Sequence, residues 1–172
     1  MEELTLLGER AVQAKYELQC MTTEKKNEVL EAVAEALIQN TEYLLLENHK
    51  DLERGIANQM NPGLVDRLRL TKERIAGMAE GIRQIVKLPD PVGEILDDYE
   101  AENGLHIVKK RVPMGVIGII YESRPNVTAD AFGLCFKSGS AVILKGGSDA
   151  IRSNMAITKV IQDAVVRRGV DP

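Results

Sequence analysis

The sequence predicts an α/β fold in which N-terminal helices lead through a β-hairpin into part of a doubly wound parallel sheet. Three observations predict it. Apolar residues recur at helical spacing as far as Val86, an Asn103-Gly104 dipeptide separates two strand-like stretches, and two β-branched runs flank a further helical stretch.

In the first of these elements, Leu4, Leu7, Ala11, Ala14 and Leu18 share one face of a helix from Glu2 to Met21, a stripe that needs a packing partner. Thr22 or Thr23 can cap a second helix that ends near Asn40 and buries Leu30, Val33, Leu37 and Ile38. A third runs from Thr41 to about Arg54. Asn61-Pro62-Gly63 reads as a turn, and Thr71 opens a helix carrying Ile75, Met78, Ala79, Ile82, Ile85 and Val86 until Leu88-Pro89-Asp90-Pro91 stops it.

The pattern changes at Gly93. Ile95 to Glu102 and Leu105 to Val112 flank Asn103-Gly104, a pair suited to the positive φ angles of a two-residue hairpin turn. The second arm alternates apolar with polar residues, so one of its faces is expected to pack. Such a hairpin is either an ordinary surface feature or a strand donor to another subunit.

Val116 to Tyr121 then forms a continuous apolar run suited to a strand buried on both faces. A helix from Val127 to Ser138, ended by Gly139, and a strand at Ala141 to Leu144 complete a β-α-β unit, with parallel order as the default. Lys145-Gly146-Gly147-Ser148 turns into a last helix, with Ser148 as its cap, Met155, Ile161 and Val165 inward, and Gly169 at its end. The chain stops at Asp171-Pro172, where another strand is due, which suggests a partial chain.

Composition narrows the function classes. The 172 residues are 44% hydrophobic and 28% charged, so a core can form, and the net charge of −4 disfavours a nonspecific nucleic-acid binder. Aromatic residues make up 3%, with no Trp, too few for a single-strand stacking platform. No apolar run approaches membrane-spanning length, and the acidic start Met1-Glu2-Glu3 is unlike a cationic targeting signal, so a cytoplasmic protein is expected. Cys20, Cys135, His49 and His106 lack metal-ligand spacing, and both cysteines sit in helical stretches where inert packing is the ordinary role.

Ligands of open parallel sheets bind beyond the carboxyl ends of the strands, where two polar clusters lie. At Lys145 to Ser148, two glycines allow close backbone approach, a helix N-terminus offers N–H groups, and Lys145 adds a cation, an arrangement suited to a nucleotide ribose or phosphate. The same corner can carry glycine for geometry alone. At Tyr121 to Asn126, Arg124 can fork onto a carboxylate or phosphate, and the Asn126 amide is an uncharged donor of the kind that stabilises an oxyanion. Both residues are equally common in capping loops, with Asn126 as a helix cap beside Pro125.

The stretch Pro113-Met114-Gly115-Val116-Ile117-Gly118-Ile119-Ile120-Tyr121-Glu122-Ser123-Arg124-Pro125-Asn126-Val127-Thr128, with Lys137-Ser138-Gly139-Ser140-Ala141-Val142-Ile143-Leu144-Lys145-Gly146-Gly147, closely resembles the gamma-glutamyl phosphate reductase family of the aldehyde dehydrogenase superfamily. The resemblance covers essentially the whole chain. It implies an aldehyde dehydrogenase-like fold: residues 1–92 as the helical part of the cofactor domain, 93–112 as a hairpin and oligomerisation arm, and 113–172 as the start of the dinucleotide-binding domain. By residue match it implies Asn126 as the oxyanion donor and Lys145 as the contact to the adenosine ribose; Gly147 and Ser148 of the same corner are further candidate cofactor contacts, and Arg124, by its own chemistry, is the candidate contact to the substrate. Ordinary members often carry a glutamate where Ser148 stands, and a neutral residue there fits a preference for NADPH.

The reaction so implied is attack of a cysteine thiolate on L-glutamyl 5-phosphate, loss of phosphate, and reduction of the thioester by NADPH to glutamate 5-semialdehyde, on the route to proline. The family's nucleophilic cysteine lies downstream of Pro172, so the chain alone is expected to be inactive. A homo-oligomer and an association with the glutamate 5-kinase that makes the acyl phosphate are further expectations, and Met1 with no upstream domain favours a separate enzyme over a fusion. Two other readings stand beside this one: part of a general aldehyde dehydrogenase, disfavoured by Glu122-Ser123-Arg124-Pro125, and a noncatalytic module binding a partner through its incomplete sheet.

Overall fold

The computed structural model describes residues 2–172, and the acidic opening Met1-Glu2-Glu3 lies outside the described side chains. Helix α1 (Glu2–Cys20) buries Ala11 and Leu18 against the sheet, but Leu4 is 72% exposed, so only the C-terminal part of the expected stripe finds a partner. Thr22 caps α2 (Thr23–Gln39) by accepting from the Lys25 N–H at 3.2 Å. Val29, Leu30, Val33 and Leu37 of α2 are fully buried, whereas Ile38, expected inside, lies exposed at the helix end. Helix α3 (Thr41–Ala57) runs three residues past its expected end.

Asn61-Pro62-Gly63 is more than a turn. The Asn61 side chain accepts from the Gly63 N–H at 2.8 Å, and Pro62, whose missing N–H costs nothing in a first turn, opens the short helix α4 (Pro62–Leu68). Thr71 caps α5 (Lys72–Lys87) through the Arg74 N–H at 3.1 Å, and the expected stripe from Ile75 to Ile85 is buried.

Strands β1 (Ile95–Glu100) and β2 (His106–Lys110) form the antiparallel hairpin. Its turn differs from the expectation, because Gly104 alone has a positive φ, +82°, while Asn103 does not. The Gly104 N–H donates to the Ala101 carbonyl and the Ala101 N–H to Leu105, both at 2.8 Å, which makes a three-residue loop with glycine at its bulge. All residues of both arms are exposed, so neither face of the hairpin packs against the described residues.

Strands β3 (Val116–Ile120) and β4 (Ala141–Lys145) are parallel, in register from Val116 opposite Ala141 to Ile120 opposite Lys145, and helix α6 (Asn126–Lys137) connects them. A strand buried on both faces was expected at β3. Instead it is half-buried, and Ile120 is 85% exposed, because β4 is its single neighbour among the described residues. After a 3₁₀ turn at Ser148–Ala150, α7 (Ile151–Arg167) buries Ile157, Ile161 and Val165, while Met155 points outward.

One apolar cluster joins α1, α2, α5, α6, β4 and α7. Two buried lysines lie against it, each with polar partners. Lys26, fully buried, lies 2.9 Å from Asp90, and Lys137 donates to Asn27 at 2.6 Å and to the Val86 carbonyl at 3.1 Å. Burial pushes the Asp90 carboxyl up, but Lys26, the Val92 N–H and the Thr23 hydroxyl together hold it below its ordinary value.

Candidate functional site

Because β3 and β4 are parallel, both polar clusters emerge at one end of the sheet. The Tyr121 N–H extends the ladder to the Lys145 carbonyl at 3.1 Å, and the Ser123 hydroxyl reaches the Asp149 carboxylate at 3.3 Å. Behind them, Tyr121 and Thr128 share a hydrogen bond of 2.7 Å, and the Thr128 hydroxyl lies 3.2 Å from the Asn154 Oδ1. That chain of side chains fixes the two loops, α6 and α7 against one another. Thr128 and Asn154 were not singled out in the sequence, where nothing marks them apart from other helical polar residues.

The glycines of Lys145-Gly146-Gly147-Ser148 serve this packing. A Cβ at Gly146 would stand 2.2 Å from Asn154 Nδ2, and one at Gly147 would stand 2.6 Å from Ser123 Oγ. Protein atoms therefore fill the space that glycine leaves, and packing alone requires glycine at both positions. The helix N-terminus is also taken. Asp51, fully buried on α3, accepts from the Arg152 and Ser153 N–H groups at 3.3 and 2.8 Å, and its neighbour Arg54 donates to the Ser148 and Asp149 carbonyls at 2.9 Å. Ser148 caps no helix, since the 3₁₀ turn it begins has no side-chain cap. What stays open at this corner is an exposed pair, the Lys145 ammonium and the Ser148 hydroxyl, which have no side-chain partner among the described residues. A cation and a neutral hydroxyl suit a phosphorylated ribose, so these side chains fit a dinucleotide even though the helix N-terminus does not contribute.

At the other loop, Asn126 is the first residue of α6 rather than its cap. Pro125 occupies the cap position, and the Val127 and Thr128 N–H groups are satisfied by the Arg124 and Pro125 carbonyls, both at 3.1 Å. Free of capping, the exposed Asn126 amide instead donates to Asp130, one turn along, at 3.3 Å. Burial pushes the Asp130 carboxyl up, and the Asn126 hydrogen bond only partly offsets this. The i, i+4 spacing of Asn126 and Asp130 was the signal that could have found this contact.

Arg124, Asn126 and Asp130 open onto a cleft of about 510 Å³ whose other wall carries Arg67, Arg69 and Arg74. The cysteines lie elsewhere. Cys135 is buried, and burial pushes its thiol up, as expected of packing; Cys20, by contrast, is exposed, because α1 ends at the surface there. No group of three His, Cys, Asp or Glu able to hold a metal occurs among the described residues.

No family model matches the chain. Gamma-glutamyl phosphate reductase of Clostridium botulinum (strain Eklund 17B / Type B) is 50% identical over 170 residues, 99% of this chain and 41% of that protein. The protein of the same name from Lachnospira eligens is 53% identical over 172 residues, again 41% of its length. The crystal structure of gamma-glutamyl phosphate reductase from Thermotoga maritima superposes with a TM-score of 0.92 at 40% identity, over 95% of this chain and 39% of that one. A probable aldehyde dehydrogenase from Listeria monocytogenes shares the fold, with a TM-score of 0.71 at 16% identity over 98% of this chain and 34% of its own. The fold is therefore aldehyde dehydrogenase-like, and the chain spans about two fifths of the length of the curated relatives it matches.

Proposed function

We propose that the chain, continued to the length of these relatives, is an NADPH-dependent reductase that converts L-glutamyl 5-phosphate to L-glutamate 5-semialdehyde with release of phosphate. The observation that carries this reading is the Asn126 amide, released from capping and exposed at the carboxyl end of the sheet beside a cleft lined by arginines. Asn126 donates to the carbonyl oxygen of the acyl group as it gains negative charge, and Asp130 holds the amide from behind by accepting one of its two N–H groups. Arg124, in the same loop, attracts the anionic substrate. Lys145 and Ser148 hold the adenosine ribose and its phosphate, and the bound NADPH supplies a hydride. The nucleophilic cysteine is neither Cys135 nor Cys20, so the 172-residue chain by itself is inactive. Likeness to biosynthetic enzymes supports a place in proline synthesis in the cytoplasm, and the fully exposed hairpin supports a homo-oligomer.

The test is oxidation of NADPH by the extended protein on freshly made L-glutamyl 5-phosphate, followed in absorbance. Stoichiometric release of phosphate and of the semialdehyde is expected. No NADPH oxidation above the rate without enzyme would reject the assignment.

A further inference from the structure

Arg67 and Arg69 are carried on a segment that the rest of the molecule holds still. Leu68 and Leu70 alternate with them and are buried, and Asn48 clamps the backbone between, its Nδ2 donating to the Leu68 carbonyl and its Oδ1 accepting from the Leu70 N–H, both at 2.8 Å. Arg74 braces the same segment. It donates to the Asp66 and Arg69 carbonyls and pairs with the Asp66 carboxylate at 3.2 Å. Arg74 is thus committed to holding this segment. The guanidinium groups of Arg67 and Arg69, exposed in the cleft, have no hydrogen-bond or ion-pair partner among the described residues.

The electrostatics of the cleft depart from those of the chain. Its lining holds four arginines and two aspartates, 4 − 2 = +2, in a chain of net charge −4. Asp66 is already paired with Arg74, and Asp130 already accepts from Asn126. Two unpartnered cations on a rigid segment, facing an oxyanion donor across one cavity, are preorganised for an anion.

Building on the function proposed above, we infer that Arg67 and Arg69 bind the α-carboxylate of the acyl-phosphate substrate. Arg124 stands two residues from Asn126 and so serves the phosphate at the reacting carbonyl. The opposite wall then meets the other end of the molecule, which carries the second negative group beyond a short aliphatic spacer. Leu70 and Met78, also in the lining, give that spacer apolar contact. Arg67 and Arg69 thereby select a substrate that carries a carboxylate at the end away from its acyl phosphate.

The test compares two acyl phosphates on the extended protein: L-glutamyl 5-phosphate and n-butyryl phosphate, which has the acyl phosphate and the spacer but neither the α-carboxylate nor the α-ammonium. In the double variant Arg67→Gln/Arg69→Gln, KM for glutamyl phosphate is expected to rise roughly tenfold to hundredfold, the effect of losing charged hydrogen bonds. KM for butyryl phosphate and for NADPH stays unchanged, which a general loss of folding would not produce. An unchanged KM for glutamyl phosphate overturns the inference alone and leaves the reductase assignment standing. An equal rise for both acyl phosphates also overturns it, since it places the arginines on the phosphate or the fold. Absence of glutamyl phosphate reduction in the unsubstituted protein removes both proposals.

Discussion

The amide nitrogen of Asn126 lies 3.3 Å from the Asp130 carboxylate, one helical turn further along α6, although Asn126 at the helix start was free to face solvent. Burial keeps the Asp130 carboxyl above its ordinary value of 3.8 despite this bond. A carboxyl raised in the folded state adds stability at pH below its unfolded value, and that stability is lost as pH rises through the folded value. Asp130→Asn is therefore expected to melt higher than the parent at pH 7, with the difference shrinking toward pH 3. Equal melting temperatures at both pH values would contradict this.

Asp90 behaves in the opposite sense. Its carboxyl is held below 3.8, so its contribution is present above that value and is lost as pH falls through the depressed one. Replacing Asp90 with Asn leaves Lys26 buried without a counter-charge, at a cost of about 3–5 kcal/mol. Urea unfolding at neutral pH measures it, and a loss below about 1 kcal/mol would show that Lys26 finds another partner.

Alkylation separates the two cysteines. Iodoacetamide should label exposed Cys20 in the native chain and reach buried Cys135 only after unfolding, because its thiol is both covered and pushed up. Mass spectrometry of tryptic peptides reads the result. Rapid native labelling of Cys135 would mean that it is not core.

Lys145→Ala in the extended protein is expected to weaken NADPH binding by roughly tenfold, since the exposed ammonium has no side-chain partner among the described residues that would otherwise hold it. Fluorescence titration of NADPH measures the Kd. An unchanged value would remove Lys145 from the cofactor contacts.

Legibility in the sequence followed locality. Thr22 and Thr71 could be read as caps because a cap is a matter of three residues, and the stripe of α5 because helical period alone places it. Where a second segment decides, the reading failed. The N–H groups of α7 looked available to a ligand, yet Asp51, about a hundred residues earlier in the chain, takes them. The alternation of β2 implied a packed face without saying what would cover it, and nothing among the described residues does. Asn126 and Lys145 could be singled out by residue match, whereas Arg67 and Arg69 look like surface charges until the fold sets them across a cleft from Asn126.

The central claim is that Asn126 stabilises developing charge, and single-turnover reduction of L-glutamyl 5-phosphate by the extended protein tests it most directly. Asn126→Ala should lower the rate by about a hundredfold to a thousandfold while leaving NADPH affinity nearly unchanged. Its melting temperature should fall by no more than the loss of the one exposed hydrogen bond to Asp130, because Asn126 caps nothing. Asn126→Asp should be at least as slow, since its carboxylate would face both the oxyanion and Asp130. Near-normal turnover in either variant would contradict the account.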